Sequence, residues 1–402
     1  MKHTYIIDGI RTPVGKHTGS LSGIRPDDMA ALTIKELLKR NPDLNPSDIA
    51  EVILGCANQA GEDNRNIARM ALLLAGVPPS VPGETVNILC ASGMASVINA
   101  SGAIALGNGD IFIAGGVESM TRAPFALSKS SQPFGRSVEI YDTSIGWRFV
   151  NPKMKKLYGI DSMGETAENV AELYKINRED QDLFALNSQM KATEARAKGR
   201  FNKEITAVEI IQGKKAPVIF NTDEFIKPDT SLEILSNLKP AFREGGSVTA
   251  GNSSGINDGA AALLLASDDG VKKNKLKPLA RIVSSAVVGV EPRIMGIGPV
   301  EASNLALKRA GLTFKDIGII ELNEAFAAQS LACIRAWGLE DNDARINPNG
   351  GAIAIGHPLG MSGTILLLTA AIELQERKER YALCTMCVGV GNGYAVIIER
   401  ID

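Results

Sequence analysis

Asn87-Ile88-Leu89-Cys90-Ala91-Ser92-Gly93-Met94 and Gly356-His357-Pro358-Leu359-Gly360-Met361 decide the architecture of this chain. Each places a residue able to move a proton or attack a carbonyl, Cys90 or His357, before the spacing x-x-Gly-Met. Each then runs into a long Ala-, Leu- and Ile-rich stretch that reads as a buried helix. The similarity extends in both directions. Pro46-Ser47-Asp48-Ile49-Ala50-Glu51-Val52-Ile53-Leu54-Gly55 matches Phe314-Lys315-Asp316-Ile317-Gly318-Ile319-Ile320-Glu321-Leu322-Asn323. Both follow an amphipathic stretch, Met29 to Lys39 and Val300 to Ala310, and both continue into an apolar strand. Asp110 to Gly116 matches Tyr381 to Cys387, two buried strands that lead into glycine-rich turns. The offset carrying Asp48 onto Asp316 also carries Cys90 onto His357, less one residue. A repeat this long is no solenoid, whose periods run from about 20 to 50 residues. It is a duplicated α/β domain.

Alternating strands and helices in each half imply βαβ units and a mixed or parallel sheet covered by helices. A strand over Val86 to Leu89 puts Cys90 just past a strand end, where small-molecule sites in open α/β sheets lie. The repeat gives His357 the equivalent place. Two halves packed on a pseudo-dyad would bring Cys90 and His357 together at their junction.

Composition narrows the class. The chain has 402 residues, 45% of them hydrophobic and 22% charged, with a formal net charge of −2. That is a soluble globular composition, with about two to three domains by length. With no basic excess, nucleic acid is not an expected partner. No apolar run reaches the roughly 18 residues of a membrane span. Met1 to Asp8 reads as a first strand rather than a signal peptide, and Glu399 to Asp402 carries no sorting tripeptide. Five scattered cysteines argue against a disulfide framework and for a reducing, cytoplasmic setting.

Three places besides Cys90 carry chemistry. Cys90 at a helix start would face unpaired N–H groups and the positive end of the macrodipole, which favours thiolate. A small buried apolar residue is the alternative. His357 stands in Asn347-Pro348-Asn349-Gly350-Gly351-Ala352-Ile353-Ala354-Ile355-Gly356-His357-Pro358. The glycines permit close backbone approach, and a histidine is the usual base for a thiol. The other two histidines, His3 and His17, read as structural or solvent-facing. Cys387 opens Cys387-Val388-Gly389-Val390-Gly391-Asn392-Gly393, where a sulfur and adjacent N–H groups can face one ligand. Asn323, in Asn323-Glu324-Ala325-Phe326, joins a strand to an Ala-rich helix in the same layer, although Asn and Glu there can simply cap the helix. Cys56, Cys333 and Cys384 read as structural. Cys384 and Cys387 lack the second ligand pair that a zinc site requires, so no metal is expected.

Between the halves, residues 121–247 are richer in Lys, Ser and Asn. Helices are expected over Gly164 to Glu172 and Arg178 to Lys198, with Thr166 and Asn177 as possible starts, and long irregular loop elsewhere. A loop this long in a compact protein is usually functional. Its cations include Lys153, Lys155, Lys156, Lys214, Lys215, Lys227 and Arg243. Most should keep their heads in water, and a few could hold a phosphorylated ligand.

These motifs resemble the thiolase family from end to end. The resemblance rests on Asn87 to Met94, Gly115-Gly116-Val117-Glu118-Ser119-Met120, Val248-Thr249-Ala250-Gly251-Asn252-Ser253-Ser254-Gly255-Ile256-Asn257-Asp258-Gly259, Asn323 to Phe326, Gly350 to Gly360, and Cys387 to Gly393. It implies an α/β thiolase fold: two duplicated five-stranded βαβαβαββ halves plus an inserted loop domain. The halves would be 1–120 with 248–274, and 275–402, with 121–247 holding coenzyme A. It implies coenzyme A as a substrate, no bound cofactor, and a homo-oligomer, dimer or dimer of dimers. By resemblance Cys90 is the nucleophile that carries the acyl group, His357 takes its proton, and Cys387 is the acid/base of carbon–carbon cleavage. Asn323 with His357, and the N–H groups of Cys90 and Gly389, would hold the oxyanions. Lys227 (often Arg in the family), Phe242, Ala250, Ser254, Met163 and Phe326 would line the coenzyme A and acyl path.

A closer resemblance is to the branch that cleaves 3-oxoadipyl-CoA in aromatic degradation. It rests on Gly55-Cys56-Ala57-Asn58-Gln59-Ala60-Gly61-Glu62-Asp63-Asn64-Arg65-Asn66 and on Asp142-Thr143-x-Ile145-Gly146-Trp147-Arg148-Phe149. Acetoacetyl-CoA enzymes commonly have His where Ser162 precedes Met163. Departures from the branch are Ile88, where Arg is usual, and Gly164, where Pro is usual. Arg148, walled by Trp147 and Phe149, is the candidate partner for a distal substrate carboxylate; a surface salt bridge is the alternative. An acetoacetyl-CoA thiolase working in the condensing direction and a non-catalytic acyl-CoA-binding homologue stay open. A ketosynthase, which typically uses two histidines, and a hydroxymethylglutaryl-CoA synthase, which needs a catalytic Glu, fit less well.

Overall fold

The computed structural model describes residues 2–402. Nine strands follow one path across a large sheet: β1 (Thr4–Arg11), β2 (Glu51–Gly55), β3 (Gly83–Val86), β4 (Ile111–Ser119), β5 (Asn257–Ser267), β6 (Ala280–Gly289), β7 (Ile317–Leu322), β8 (Tyr381–Val388) and β9 (Asn392–Arg400). Their order is β7-β8-β9-β6-β1-β5-β4-β2-β3, and the two-residue strand Gly15–Lys16 pairs with β5 off this path. Read outward from the middle, the two sides repeat one another. One side runs β1-β5-β4-β2-β3 and the other β6-β9-β8-β7. A single parallel bridge, Ile320 to Ile346, stands in the second half where β3 stands in the first. In each half the strands joined through helices are parallel and the closing strand is antiparallel. Among the described residues, only Thr4–Ile6 against Ala280–Ile282 joins the halves edge to edge.

β4 and β5 are buried along their whole length, as strands covered on both faces should be, with polar residues confined to their ends. Helices Ser92–Leu106 and Leu359–Arg377 lie in the middle. Met94, Val97, Leu367 and Leu368 pack there against Phe112 and Leu263 of one half and Ala382 and Val396 of the other. Outside the first half lie Pro26–Arg40 and Ile67–Leu74, whose Met29, Ile34 and Leu72 cover Val52 and Ile113. Outside the second lie Gly298–Ala310 and Ala327–Ala336. The result is five layers, helix and sheet in alternation. The stretch Leu89–Leu106 reaches a mean hydropathy of 1.5 over 18 residues, contrary to the expectation that none is apolar enough for a span. It is a core helix held between two halves of a sheet.

The helices of the two repeated motifs meet along backbone. A Cβ on Gly93 would collide with the Gly360 carbonyl oxygen, and one on Gly360 with the carbonyl oxygen of Val117. Gly93 thus faces the corresponding glycine of the other repeat, Gly360 faces the strand ends of the first half, and no side chain fits at either.

The 121–247 segment is more ordered than expected. It contains hairpins Phe125–Leu127/Ile140–Asp142 and Val208–Ile210/Val218–Phe220, and helices Pro152–Tyr158, Met163–Leu173, Arg178–Ala197 and Leu232–Ser236. Asn177 caps the third of these helices, as expected. The second starts earlier than Thr166: Ser162 caps it by accepting from Glu165 N, and Thr166 returns its hydroxyl to Met163 O. Arg11, wholly buried in β1, anchors the segment through Asp223 (2.7 and 2.9 Å) and Glu204 (2.8 Å).

Gly360→Ala should lower the denaturant midpoint, because overpacking against fixed backbone costs about 1–3 kcal/mol. An unchanged midpoint would show that the Leu359–Arg377 helix has room to move off Val117 and Gly55.

Candidate active site

Cys90 does not open a helix directly. β3 ends at Val86, not Leu89, and Leu89–Ala91 forms one 3-10 turn before Ser92–Leu106. Leu89 takes φ +48°, a left-handed conformation that leucine adopts at a cost of about 1–2 kcal/mol. Neighbouring side chains hold it there. Asn87 Oδ1 accepts from Leu89 N (3.0 Å), and Ser92 Oγ accepts from Ile88 N (2.9 Å) and donates to Leu89 O (2.7 Å). Two backbone N–H groups, its own and that of Gly389, point at the Cys90 sulfur. They do not make it a thiolate. Burial pushes the thiol up to about 11, with the nearby Glu118 charge adding to the rise. The helix-start expectation fails here because desolvation outweighs two N–H dipoles.

His357 is placed through its backbone and its ring. Its N–H donates to Asn257 Oδ1 (2.9 Å), while Asn257 Nδ2 donates to Gly15 O (3.0 Å). The preceding Gly356 takes φ +112° and packs against the Asn257 side chain, where a Cβ would not fit. Ring Nδ1 lies 2.6 Å from Ser362 Oγ, and the Ser362 hydroxyl donates to Pro358 O (2.8 Å). That hydroxyl proton is committed, so Nδ1 carries the ring hydrogen and donates. Nε2 is left with a free lone pair. Asn323 Nδ2 stands 3.4 Å from it. Burial lowers the imidazole to about 4, so the ring is neutral and able to accept a proton.

Cys387 ends β8, buried, its thiol pushed well above the usual range by burial and by the proximity of Cys90. Gly389 follows in the turn to β9 and touches Leu89 and Met163; a Cβ there would lie 3.1 Å from Leu89 Cδ1. Asn323 is fixed by its N–H to Thr385 O (3.0 Å) and does not cap the Ala327–Ala336 helix. The arrangement therefore gathers two thiols, a neutral imidazole and two N–H donors at the junction. Cys384 donates into the core at Leu366 O, Cys56 is turned to Asn58 O, and Cys333 is buried among the outer helices.

The expected ligand-lining residues form one train of contacts. The Lys227 ammonium sits over the Phe225 ring, which packs on Gly255 beside Ser254. Ser254 N donates to Ala325 O (3.0 Å), and Phe326 meets Phe242 edge to face at 6.2 Å. The Phe242 ring lies on Gly164, and Met163 closes the train at Gly389, whose N–H points at Cys90. The departure at Gly164 has a physical cause, since any Cβ would strike that ring. Ala250 and Lys227 are exposed along the same open face. An open cavity of about 410 Å³, lined by 239–245, adjoins Phe242.

The loop cations divide. Arg243 is committed to Glu165, Glu172 and Asn169 and is not a free phosphate ligand. Lys153, Lys155, Lys156, Lys214 and Lys215 are exposed. Arg148 is half-buried, its only hydrogen bond a long one to Thr143 O (3.5 Å), and among the described residues it makes no ion pair. Trp147 donates to Asp161 O (3.2 Å), and the Phe149 ring packs on Tyr141 (centroids 4.8 Å apart). Sequence reasoning missed Ser362 and Asn257. Asn257 lay within a quoted motif, but nothing in the sequence told that its amide would hold His357.

A duplicated α/β body carrying this cluster is the thiolase arrangement. The description "Thiolase, N-terminal domain" fits residues 4–269 and "Thiolase, C-terminal domain" fits 276–400. The chain belongs to the thiolase family and is an acyltransferase. It is 57% identical over 402 residues, all of both chains, to the Escherichia coli "Beta-ketoadipyl-CoA thiolase". It is equally identical, with the same coverage, to the "3-oxoadipyl-CoA/3-oxo-5,6-dehydrosuberyl-CoA thiolase" of Escherichia coli strain K12. The crystal structure of human mitochondrial 3-ketoacyl-CoA thiolase in complex with CoA superposes with a TM-score of 0.92 at 38% identity, covering 100% of this chain and 98% of that one.

A resting thiol raised to about 11 beside a neutral imidazole predicts slow alkylation at neutral pH. Iodoacetamide inactivation of the ligand-free enzyme should climb steadily from pH 7 to 10. A plateau with an apparent pKa below 8 would mean that the resting enzyme already holds a thiolate.

Proposed function

We propose that this enzyme cleaves 3-oxoadipyl-CoA with free coenzyme A, giving acetyl-CoA and succinyl-CoA through an acyl-Cys90 intermediate. One observation carries the reading: Cys387 and a neutral His357, whose Nε2 keeps its lone pair toward Asn323, are buried at the junction where the Gly389 N–H meets Cys90.

Cys90 sulfur attacks C3 of the substrate as His357 Nε2 takes its proton. The N–H groups of Cys90 and Gly389 hold the resulting oxyanion. The C2–C3 bond then breaks and leaves succinyl-Cys90 and the enolate of acetyl-CoA. Cys387 protonates that enolate at C2, while His357 and a water held by Asn323 stabilise its oxygen. After acetyl-CoA departs, Cys387 deprotonates the thiol of free coenzyme A, which attacks succinyl-Cys90. His357 returns its proton to Cys90 as succinyl-CoA leaves. Both thiols start protonated, so each is activated only in the step that uses it.

The loop domain, 121–247, would hold coenzyme A along Lys227, Ser254, Ala250 and Phe242, with Met163 and Phe326 toward the acyl end. The halves are 1–120 with 248–274, and 275–402. The exposed apolar side chains Phe125, Leu127 and Ile140 on one hairpin support assembly into a dimer or a dimer of dimers. A cytoplasmic setting suits five free cysteines.

The acyl chain is read from Arg148 and from the names of the relatives. A distal carboxylate needs a partner because an unpaired buried charge is costly. Arg148 is half-buried without one, and its fork can hold a carboxylate through two bonds. Losing that pair should cost about 1.5–3 kcal/mol. Arg148→Met should thus lower kcat/KM for 3-oxoadipyl-CoA roughly ten- to hundredfold and leave acetoacetyl-CoA cleavage nearly unchanged. Equal losses on both substrates, or none on either, would remove Arg148 as the reader of the carboxylate.

A further inference from the structure

Glu118 is buried near the end of β4, in the Gly115–Met120 motif, and no reacting atom in the steps above is assigned to it. Its carboxylate accepts three backbone N–H groups: Ala57 (3.0 Å), Asn58 (2.9 Å) and Gly360 (2.8 Å). Among the described residues no Lys, Arg or His pairs with it. Burying a carboxylate without a cation is expensive. Burial lifts it to about 7 even against those three donors. If filling space were the only requirement, an uncharged side chain would fill it at lower cost.

The three donors belong to the supports of two different catalytic groups. Ala57 and Asn58 form the loop behind the nucleophile. Ala57 O accepts from Asn87 Nδ2 (3.1 Å), and Asn87 Oδ1 holds Leu89 N, one residue before Cys90. Gly360 lies in the first turn of the helix that His357 precedes, between Pro358 and Ser362, the two residues that fix its ring. The first arm comes from one repeat and the second from the other. Around it the two repeats meet through close glycine backbone and apolar side chains, neither of which directs a hydrogen bond to both supports.

We propose that Glu118 is a positioning residue: by gripping the loop behind Cys90 and the helix start behind His357, it sets the geometry between nucleophile and base. This rests on the roles proposed for Cys90 and His357, which acylation of Cys90 in the unsubstituted enzyme tests separately.

Glu118→Gln keeps the shape but puts an amide donor against N–H donors. The expected result is a fall in kcat on the order of a hundredfold, since a displacement of about 1 Å can cost that much, with calorimetric Kd for coenzyme A within twofold. The groups that bear on the Cys90 sulfur are the Glu118 carboxylate, the Cys387 thiol and the N–H groups of Gly389 and of Cys90 itself. Removing the one carboxylate among them should move the alkylation profile of Cys90 to lower pH. A more ionised nucleophile in a slower enzyme is a pairing that general destabilisation does not produce. Glu118→Asp keeps the charge and shortens the reach; it should leave the alkylation profile in place and lower kcat by less. A kcat within threefold of the parent for Gln overturns the proposal, as does a loss confined to Kd. If the Gln variant does not fold, the Asp variant decides alone, and an unchanged kcat in it overturns the proposal.

Discussion

The backbone contact between Gly93 and Gly360 is the constraint on which the rest depends. A side chain on Gly93 would separate the two central helices, and one on Gly360 would drive its helix off the first-half backbone at Val117 and Gly55. Those helices carry Cys90 and His357 at their starts, so the same contact that closes the core brings the two groups to one junction. The sheet contributes little at this seam, since among the described residues only Thr4–Ile6 and Ala280–Ile282 join its halves. The packed middle layer holds the halves together instead, through Met94, Leu367 and their neighbours.

From that contact follows the character of the site. A junction dry enough to bury two central helices also desolvates what stands at their ends. The Cys90 thiol rises, the His357 imidazole falls, and Glu118 rises with them. Each group is thereby held in its uncharged or less charged form until a substrate supplies a reason to ionise. Directed partners then do what solvent cannot. Ser362 chooses the tautomer, the Gly389 N–H marks where negative charge is tolerated, and Asn257 fixes the backbone of His357. The site resembles a set of restrained neutral groups more than a resting ion pair.

The duplication, the strand–helix alternation within each half and the places of Cys90 and His357 before the two central helices were legible in the sequence. Each is written in apolar periodicity or in a spacing that recurs. Four features were not. The Cys90 turn was misread as the end of a strand, because the αL conformation of Leu89 is imposed by Asn87 and Ser92 and not by leucine itself. The thiolate was overestimated, because a helix start is local while desolvation depends on the whole junction. Arg243 read as a free cation, because its partners Glu165 and Glu172 lie far away along the chain. The departure at Gly164 had no meaning until the Phe242 ring was found resting on it.

The claim that the junction forms an acyl-transfer site with Cys90 as carrier is tested most directly by trapping the acyl group. The enzyme would be incubated with acetyl-CoA or succinyl-CoA, quenched in acid, digested and read by peptide mass spectrometry. The account predicts one acyl group, on the peptide containing Cys90, and none when Cys90 is replaced by serine. An acyl group on Cys387 or Cys56, or no acylated cysteine at all, would contradict it.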